Sequence, residues 1–457
     1  MAQTICALVT PPGVGGIAVV RISGPEAYPI AGRVFRPIDP NKHLEEARGY
    51  SALFGHFWRQ GRSCDQTIAL CFRGPKSYTG EDVVELSCHG GNAVSAELLA
   101  ACYEAGAVPA GAGEFTKRAF LNGRISLTQA EAVMGVIGAA GRQGAALASA
   151  ALEGRLAQEI GSIQGELTGL LSHIDAWVDF PEEDVPALED DELRDTLTRC
   201  RDSLARLVRD YGAGAVLQRG VRAAIVGSPN VGKSTLLNLL AGFERAIVTP
   251  IAGTTRDVVE QAVMVGEKGI RLELADTAGL RDTGDVVEAE GIRRSYAQLE
   301  QAGLVLAVFD ASRPVSEEDR ELAQRCAGRT AIAILNKTDL PRAFDPEQIR
   351  DNFSRTVELS ATDPAHRQVL TEAIEDVLGI AQLDPNAAAL VSERQYSAAL
   401  AARDHLEAAM NAQSGGYGLD AVGICVEDAL SALYELTGES ASEAAIDAVF
   451  ETFCVGK

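Results

Sequence analysis

Val221-Arg222-Ala223-Ala224-Ile225-Val226, then Gly227-Ser228-Pro229-Asn230-Val231-Gly232-Lys233-Ser234, then Thr235-Leu236-Leu237-Asn238-Leu239-Leu240, is the run that decides the fold. Its parts read as a buried strand, a glycine-bounded loop and a helix, the context in which a phosphate-binding loop has physical meaning. The glycines let backbone N–H groups curl around phosphate oxygens. The helix start adds partial positive charge. Lys233 is placed to reach the outer phosphates, and Ser234 to give a hydroxyl to Mg²⁺. The run predicts an α/β domain that holds a nucleoside triphosphate through Asn230, Val231, Gly232, Lys233, Ser234 and Thr235.

Three further elements follow in order. Leu272-Glu273-Leu274-Ala275 reads as a strand ending at Asp276-Thr277-Ala278-Gly279. Asp276 is expected near Mg²⁺ through water, and Gly279 can offer its N–H to the γ-phosphate. Ala331-Ile332-Ala333-Ile334-Leu335 reads as a strand ending at Asn336-Lys337-Thr338-Asp339. The Asp339 carboxylate can accept from guanine N1–H and N2–H₂, a donor pair that adenine lacks, so GTP is expected over ATP. Val357-Glu358-Leu359 leads into Ser360-Ala361-Thr362, whose backbone can read guanine O6. A lone glycine-rich loop is weak; four such elements at strand ends on one sheet are strong.

Between the loop and the Asp276 strand lies Thr249-Pro250-Ile251-Ala252-Gly253-Thr254-Thr255-Arg256-Asp257, in the place of a switch segment. Thr255 is expected to complete the Mg²⁺ shell. Ras-like enzymes carry a water-orienting glutamine just after the Asp-x-x-Gly turn; here that position is Leu280. An acid within Arg281 to Glu290 is expected instead. In place of an arginine finger, Asn230 can offer its amide oxygen to a monovalent cation that carbonyls of the 249–254 loop also hold.

The bulk properties fit this reading. A chain of 457 residues suggests roughly three domains. The formal net charge of -23 opposes adhesion to phosphate backbones, which argues against a nucleic-acid-coating protein. An RNA substrate then needs a local basic patch or a basic partner. No run approaches the ~18–20 apolar residues of a membrane span, and Met1-Ala2-Gln3-Thr4-Ile5 lacks a signal-peptide pattern. Nine scattered cysteines, with no Cys-x-x-Cys pair, suit a reducing cytosol and no zinc site. A soluble, cytoplasmic protein with no membrane partner is expected.

Three textures run along the chain. Residues 1–122 read as an α+β domain with strands at Ile17–Ile22, Ile68–Phe72 and Val83–Cys88 and a helix over Asn92–Ala105. Residues 123–214 are Ala/Leu-rich at helical spacing, and this texture returns over 383–457. Residues 215–382 alternate strands and helices. The division is that of a multidomain chain: an α-helical bundle split in sequence by an inserted α/β P-loop G domain.

Segments outside the G domain carry a resemblance. They are Thr10-Pro11-Pro12-Gly13-Val14-Gly15-Gly16, Tyr78-Thr79-Gly80-Glu81-Asp82, His89-Gly90-Gly91, Gly113 to Arg124, Asp179-Phe180-Pro181-Glu182-Glu183 and Phe453-Cys454-Val455-Gly456-Lys457. With Gly253-Thr254-Thr255-Arg256-Asp257, they resemble the bacterial tRNA-modification GTPases of the MnmE (TrmE) family over essentially the full length. The resemblance implies an amino-terminal domain that dimerises and binds a folate, and GTP hydrolysis activated by potassium when two G domains meet. It implies a homodimer working with the FAD-dependent MnmG on C5 of the tRNA wobble uridine. By position it implies K⁺ ligation by Asn230, Thr249, Ile251 and Thr254, Mg²⁺ ligation by Ser234 and Thr255, and a general base or water-orienting group at Glu288. It implies contacts to a tetrahydrofolate derivative (5-formyl or methylene) from Arg21, Glu85, Arg124 and Lys457. Read singly, Arg21, Glu85 and Arg124 are ordinary surface charges; an arginine can also pair with a folate glutamate tail, and a carboxylate with a pterin donor face.

Two rivals stand beside this reading. A ribosome-assembly GTPase would carry basic RNA-binding appendages, which the charge of -23 opposes. A folate-carrying scaffold would use its G domain only as a switch. Cys454, fourth from the end, has two readings once a prenylation box is excluded by Gly456 and Lys457. It is a buried core thiol, the usual fate of cysteine, or a nucleophile on a flexible-looking tail beside Lys457. By the resemblance that tail lies at the folate site, which makes Cys454 a candidate for the tRNA chemistry.

Overall fold

A computed structural model describes residues 3–179, 189–242, 261–274 and 299–457. By internal contacts the chain forms two compact units, Met1–Met134 with Leu433–Lys457, and Gly135–Ala432.

The first unit is built on strands β1 (Ile5–Leu8), β2 (Ile17–Ser23), β3 (Phe35–Pro37), β4 (Ser51–Arg59), β5 (Arg62–Phe72), β6 (Val83–His89) and β7 (Val108–Pro109). They form one sheet in the order β3-β4-β5-β6-β2-β1-β7. Alternation sets its faces. Ala18, Val20 and Ile22 of β2 are buried with residues of helices α1 (Ala27–Val34) and α2 (Asn92–Glu104). Val19 and Arg21 point to the other face. The register sets Arg21 directly opposite Glu85.

The carboxy-terminal segment completes this unit. Helix α3 (Glu114–Leu121) and helix Glu443–Glu451 meet, and Lys117 Nζ lies 2.5 Å from Asp447 Oδ1. Phe450 and Phe453 pack with Leu127 and Ala130. The last residues are stitched down by backbone: Ala112 bridges Val455, and Phe115 N donates to Lys457 O at 3.1 Å. Gly456, at φ 101, lies so close to β1 that a Cβ would sit 2.4 Å from Leu8 O. The tail read from sequence as flexible-looking is thus held by backbone hydrogen bonds.

Helix α4 (Leu127–Gly138) spans the boundary at Met134, and α5 (Arg142–Leu152), α6 (Arg155–Asp179) and α7 (Asp190–Arg219) follow in the second unit. Helix α7 shows why this texture is helical. Leu193, Leu197, Cys200, Leu204 and Leu207 recur at three- and four-residue steps and are buried. Asp190, Asp191 and Glu192 meet the positive end of its dipole, and Gly220 at φ 85 ends it. Helices Glu393–Ser414 and Leu419–Thr437 complete the helical part, the former against α7.

The α/β part has strands β8 (Val221–Val226), β9 (Gln261–Val265), β10 (Ile270–Leu274), β11 (Leu304–Asp310), β12 (Ala331–Asn336) and β13 (Arg355–Glu358). The sheet order is β13-β12-β11-β8-β10-β9, parallel except for the edge strand β9. Every residue of β11 and β12 is buried, as central parallel strands require. Helices lie against the sheet, among them α8 (Lys233–Ala241), Glu317–Cys326 and Arg367–Val377. The strand expectations at 221–226, 272–275, 331–335 and 357–359 match β8, β10, β12 and β13 within a few residues. In such a sheet the carboxyl ends of the strands form the ligand crevice. No helix among the described residues is long and apolar enough to cross a membrane.

Candidate functional site

The loop after β8 has the backbone that its glycines predict. Gly227 is at φ 152 and Gly232 at φ 101, and Asn230, exposed at the loop crest, is at φ 61. Both glycines are also forced by space. A Cβ on Gly227 would sit 2.3 Å from Val308 O, and one on Gly232 would sit 2.2 Å from Asn336 Nδ2. Gly232 is the N-cap of α8 and offers no side chain to the first turn of the helix. The amino end of a helix, with its partial positive charge, is where an anion is favoured. Lys233 Nζ donates to Gly227 O and Ser228 O, both at 2.9 Å. Burial pulls its pKa below the ordinary lysine value. The ammonium is curled over the mouth of the loop that is read as the phosphate cradle.

Asn336, buried at the end of β12, ties this loop to the Ser360-Ala361-Thr362 segment. Its Nδ2 donates to Val231 O at 2.8 Å, and its Oδ1 accepts from Ala361 N at 2.8 Å. One carboxamide therefore fixes the spacing between Asn230–Thr235 and Ser360-Ala361-Thr362. Asp339 is exposed at the same edge and accepts from Ser360 Oγ at 2.7 Å. That hydrogen bond holds its carboxyl below the usual carboxylate range. Ser360 Oγ also lies 2.8 Å from Thr362 Oγ1, and Thr338 N donates to Leu359 O. An ionised Asp339 aimed outward is the acceptor that a guanine edge needs.

Two residues of this edge had not been singled out in the sequence. Asp310 ends β11 and receives Lys337 Nζ at 2.7 Å and both N–H and Oγ of Ser312. Burial alone would raise its pKa; the bonds from Lys337 and Ser312 outweigh this and hold it low. Lys337, at φ 67, is thereby held in a strained backbone position. His366 accepts from Ser360 N at 3.3 Å through Nδ1. The signal for Asp310 was a single acid closing a wholly apolar run, Leu304 to Phe309.

Thr249, Pro250, Ile251, Ala252, Gly253, Thr254 and Thr255 lie outside the described residues, as do Asp276, Thr277, Ala278, Gly279, Leu280 and Glu288. Among the described residues no group of three His, Cys, Asp or Glu is arranged to hold a metal ion. Ser234, the Mg²⁺ candidate, opens α8 next to Lys233.

A second cluster lies in the first unit. Arg21 Nε meets Glu85 Oε1 at 2.7 Å, with both side chains largely buried. The Arg21 guanidinium also lies 5.2 Å from the Tyr78 ring centre and 5.4 Å from that of Phe115. Phe115 is the residue whose N–H holds Lys457 O. Arg21, paired with Glu85, and the backbone of Lys457 therefore both meet Phe115. Exposed Arg124 lies farther along, its stem 3.3 Å from where a Cβ on Gly80 would be. Cys454 is exposed, so the core reading of its thiol does not hold. Its carbonyl accepts from Gly113 N and Lys457 N.

Residues 4–124 match the family model of the GTP-binding protein TrmE N-terminus, and residues 127–454 match that of the MnmE helical domain. The chain belongs to the MnmE family of tRNA-modification GTPases. A tRNA modification GTPase MnmE of Symbiobacterium thermophilum is 42% identical over 459 residues, covering all of this chain and 99% of that one. Those of Geobacter sulfurreducens and Thermoanaerobacter pseudethanolicus are 40% and 38% identical, each covering all of this chain and 99% of its own. The FeoB G-domain of Methanococcus jannaschii aligns at 25% identity with a TM-score of 0.25, over 35% of this chain and 98% of that one. Membership, with the loop–Asn336–Asp339 geometry, makes the chain a GTP hydrolase.

Two outcomes follow from this geometry. Asp339→Asn should weaken GTP binding by roughly tenfold or more, since a charged acceptor is lost, and should favour xanthosine triphosphate; nucleotide titrations on wild type and variant decide it, and unchanged GTP preference refutes the assignment. For Asp310 the folded pKa is depressed, so its contribution is present above the unfolded value and is lost as pH falls through the folded one. Asp310→Asn should therefore be less stable than wild type at neutral pH, with the gap shrinking below about pH 4. Denaturation midpoints from pH 7 to pH 3 measure this, and a gap that is constant with pH rules it out.

Proposed function

We propose that this GTPase acts in C5 modification of the tRNA wobble uridine, in a potassium-dependent cycle coupled to pairing of two G domains. The observation that carries the reading is the Asn336 bridge, which sets a phosphate loop and a guanine-reading edge at a fixed spacing in a chain related to tRNA modification GTPases over its full length. The three-part division into 1–122, 123–214 with 383–457, and 215–382 belongs to this proposal. So do a homodimer, the FAD-dependent MnmG as partner, tRNA as substrate and a cytoplasmic setting.

In this reading the loop amides and Lys233 hold the phosphates, and Asp339 selects guanine. The glycine cradle and the amino end of α8 fit a nucleotide's phosphates, so Ser234 and Thr255 are assigned to Mg²⁺, which would supply charge neutralisation. Asn230, exposed at the loop crest, is assigned with Thr249, Ile251 and Thr254 to K⁺. Glu288 orients the attacking water, since Leu280 has no group to do so. The Arg21–Glu85 cluster is assigned, with Arg124 and Lys457, to a tetrahydrofolate derivative. An arginine already seated between two rings is preorganised to receive an anionic tail. Exposed Cys454 is assigned to the tRNA chemistry.

Replacing K⁺ by Na⁺ should slow turnover by at least about tenfold, given that an arginine finger is worth ~10³–10⁵ in such chemistry. Glu288→Ala should lower kcat with GTP affinity nearly intact. Steady-state rates in both salts, with a binding titration, test this; equal rates in the two salts defeat the cation model, and a parallel loss of affinity makes Glu288 structural. Cys454→Ser should keep potassium-dependent hydrolysis and abolish wobble-uridine modification, read by mass spectrometry of tRNA nucleosides. Retained modification removes Cys454 from the chemistry.

A further inference from the structure

The hairpin formed by β9 and β10 joins two ends of the molecule that no assignment above connects. At its open end, β9 follows the 249–255 segment in the chain and β10 runs on toward Asp276. Both neighbours are assigned above to the nucleotide. At its closed end, the turn Gly266-Glu267-Lys268-Gly269 has Gly266 at φ 71 and Gly269 at φ 69.

That turn is clamped. Lys268 Nζ donates to Ile380 O at 3.0 Å and Ala381 O at 3.1 Å, and pairs with Glu375 Oε2 at 3.1 Å. Both Lys268 and Glu375 are mostly buried. Ile380 and Ala381 lie where the chain leaves helix Arg367–Val377 for the helical part. The other crossing, from α7 into β8, is Gly220, and a Cβ there would sit 2.6 Å from Arg271 O of β10. A Cβ on Gly141, in the α4–α5 turn, would sit 2.1 Å from Gly269 O. Ala140 N donates to Gln218 O near the end of α7, which joins this turn to the same crossing. The hairpin thus rests on both points at which the chain passes between sheet and helices, and Lys268 holds the outgoing point.

We propose that Lys268 is a positioning residue through which the hairpin transmits nucleotide state to the helical part. A strand pair is stiff along its length, so a shift at one end reaches the helical part only if the far end is tied to it. Three donor bonds from one ammonium to two carbonyls and a carboxylate fix it. The inference rests on the nucleotide assignment of 249–255 and 276–279.

Hydrogen–deuterium exchange on the full chain tests it, comparing GDP with a non-hydrolysable GTP analogue. In wild type, exchange at amides 139–145 and 378–384 should differ by about fivefold or more between the two states, the lower range of allosteric couplings. In Lys268→Ala that difference should vanish, while protection of 230–235 on analogue binding remains. Glu375→Gln, which keeps volume and removes only the ion pair, should at least halve the response and serves if Lys268→Ala does not fold. A wild-type response retained in the variants overturns the proposal. So does a wild type protected at 230–235 with no change at 139–145 and 378–384. Absence of protection at 230–235 in wild type instead overturns the nucleotide assignment, and the proposal with it.

Discussion

The nucleotide edge depends on the Asn336 carboxamide. It is buried, donates to Val231 O and accepts from Ala361 N, so both of its polar atoms are satisfied by backbone. Backbone partners make it a spacer: they fix the separation of two loops that come from opposite ends of the α/β part. Removing either bond would leave a buried amide or carbonyl without a partner, which costs more than the bond itself contributes. The close approach of Gly232 to Asn336 Nδ2 is the steric side of the same constraint. The residue is conspicuous in sequence as the start of a base-recognition motif. Its structural task is to hold the phosphate loop.

Charge around that spacer is arranged in two tiers. Asp310 and Lys337 neutralise each other below the surface, which anchors the backbone just before Asp339. Asp339 itself is exposed and takes a hydrogen bond from the Ser360 hydroxyl. One acid is used as an anchor and the other is left open to solvent. The same division holds in the other unit. Glu81 is consumed by Arg118 and Ser23, and Asp82 by Arg73 and Gly74 N, so these members of the Tyr78–Asp82 segment act as ties. Arg21, by contrast, is held between a carboxylate and two rings.

What could be read from the sequence was what depends on neighbours in the chain. The strand–loop–helix at Val221–Leu240 announces itself through glycine spacing and a following amphipathic run, and the ends of β10, β12 and β13 carry polar residues after apolar ones. Strand β11 carries no nucleotide motif, yet it is the buried centre of the sheet. Asp310 was overlooked because its meaning lies in Lys337, a partner on the next strand. The curl of Lys233 onto its own loop and the backbone stitching of Val455 to Lys457 are equally invisible, since neither bond involves a residue pattern. Arg21 and Glu85 are separated by sixty-odd positions in sequence, and only the register of β2 against β6 makes them face each other.

The stitched carboxy-terminal segment has a consequence for how the molecule is made. A ribosome delivers the chain from its amino end, and domains generally fold as they emerge. Gly135–Ala432 forms one compact unit from a continuous stretch of chain. The first unit is closed only later, because Phe115 and Ala112 find backbone partners in Lys457 and Val455, which are translated after that stretch. A unit begun before Gly135–Ala432 is therefore completed after it. Until then the surface around Phe120 and Leu127 stays uncovered by Phe450 and Phe453, an interval in which chaperones have something to recognise.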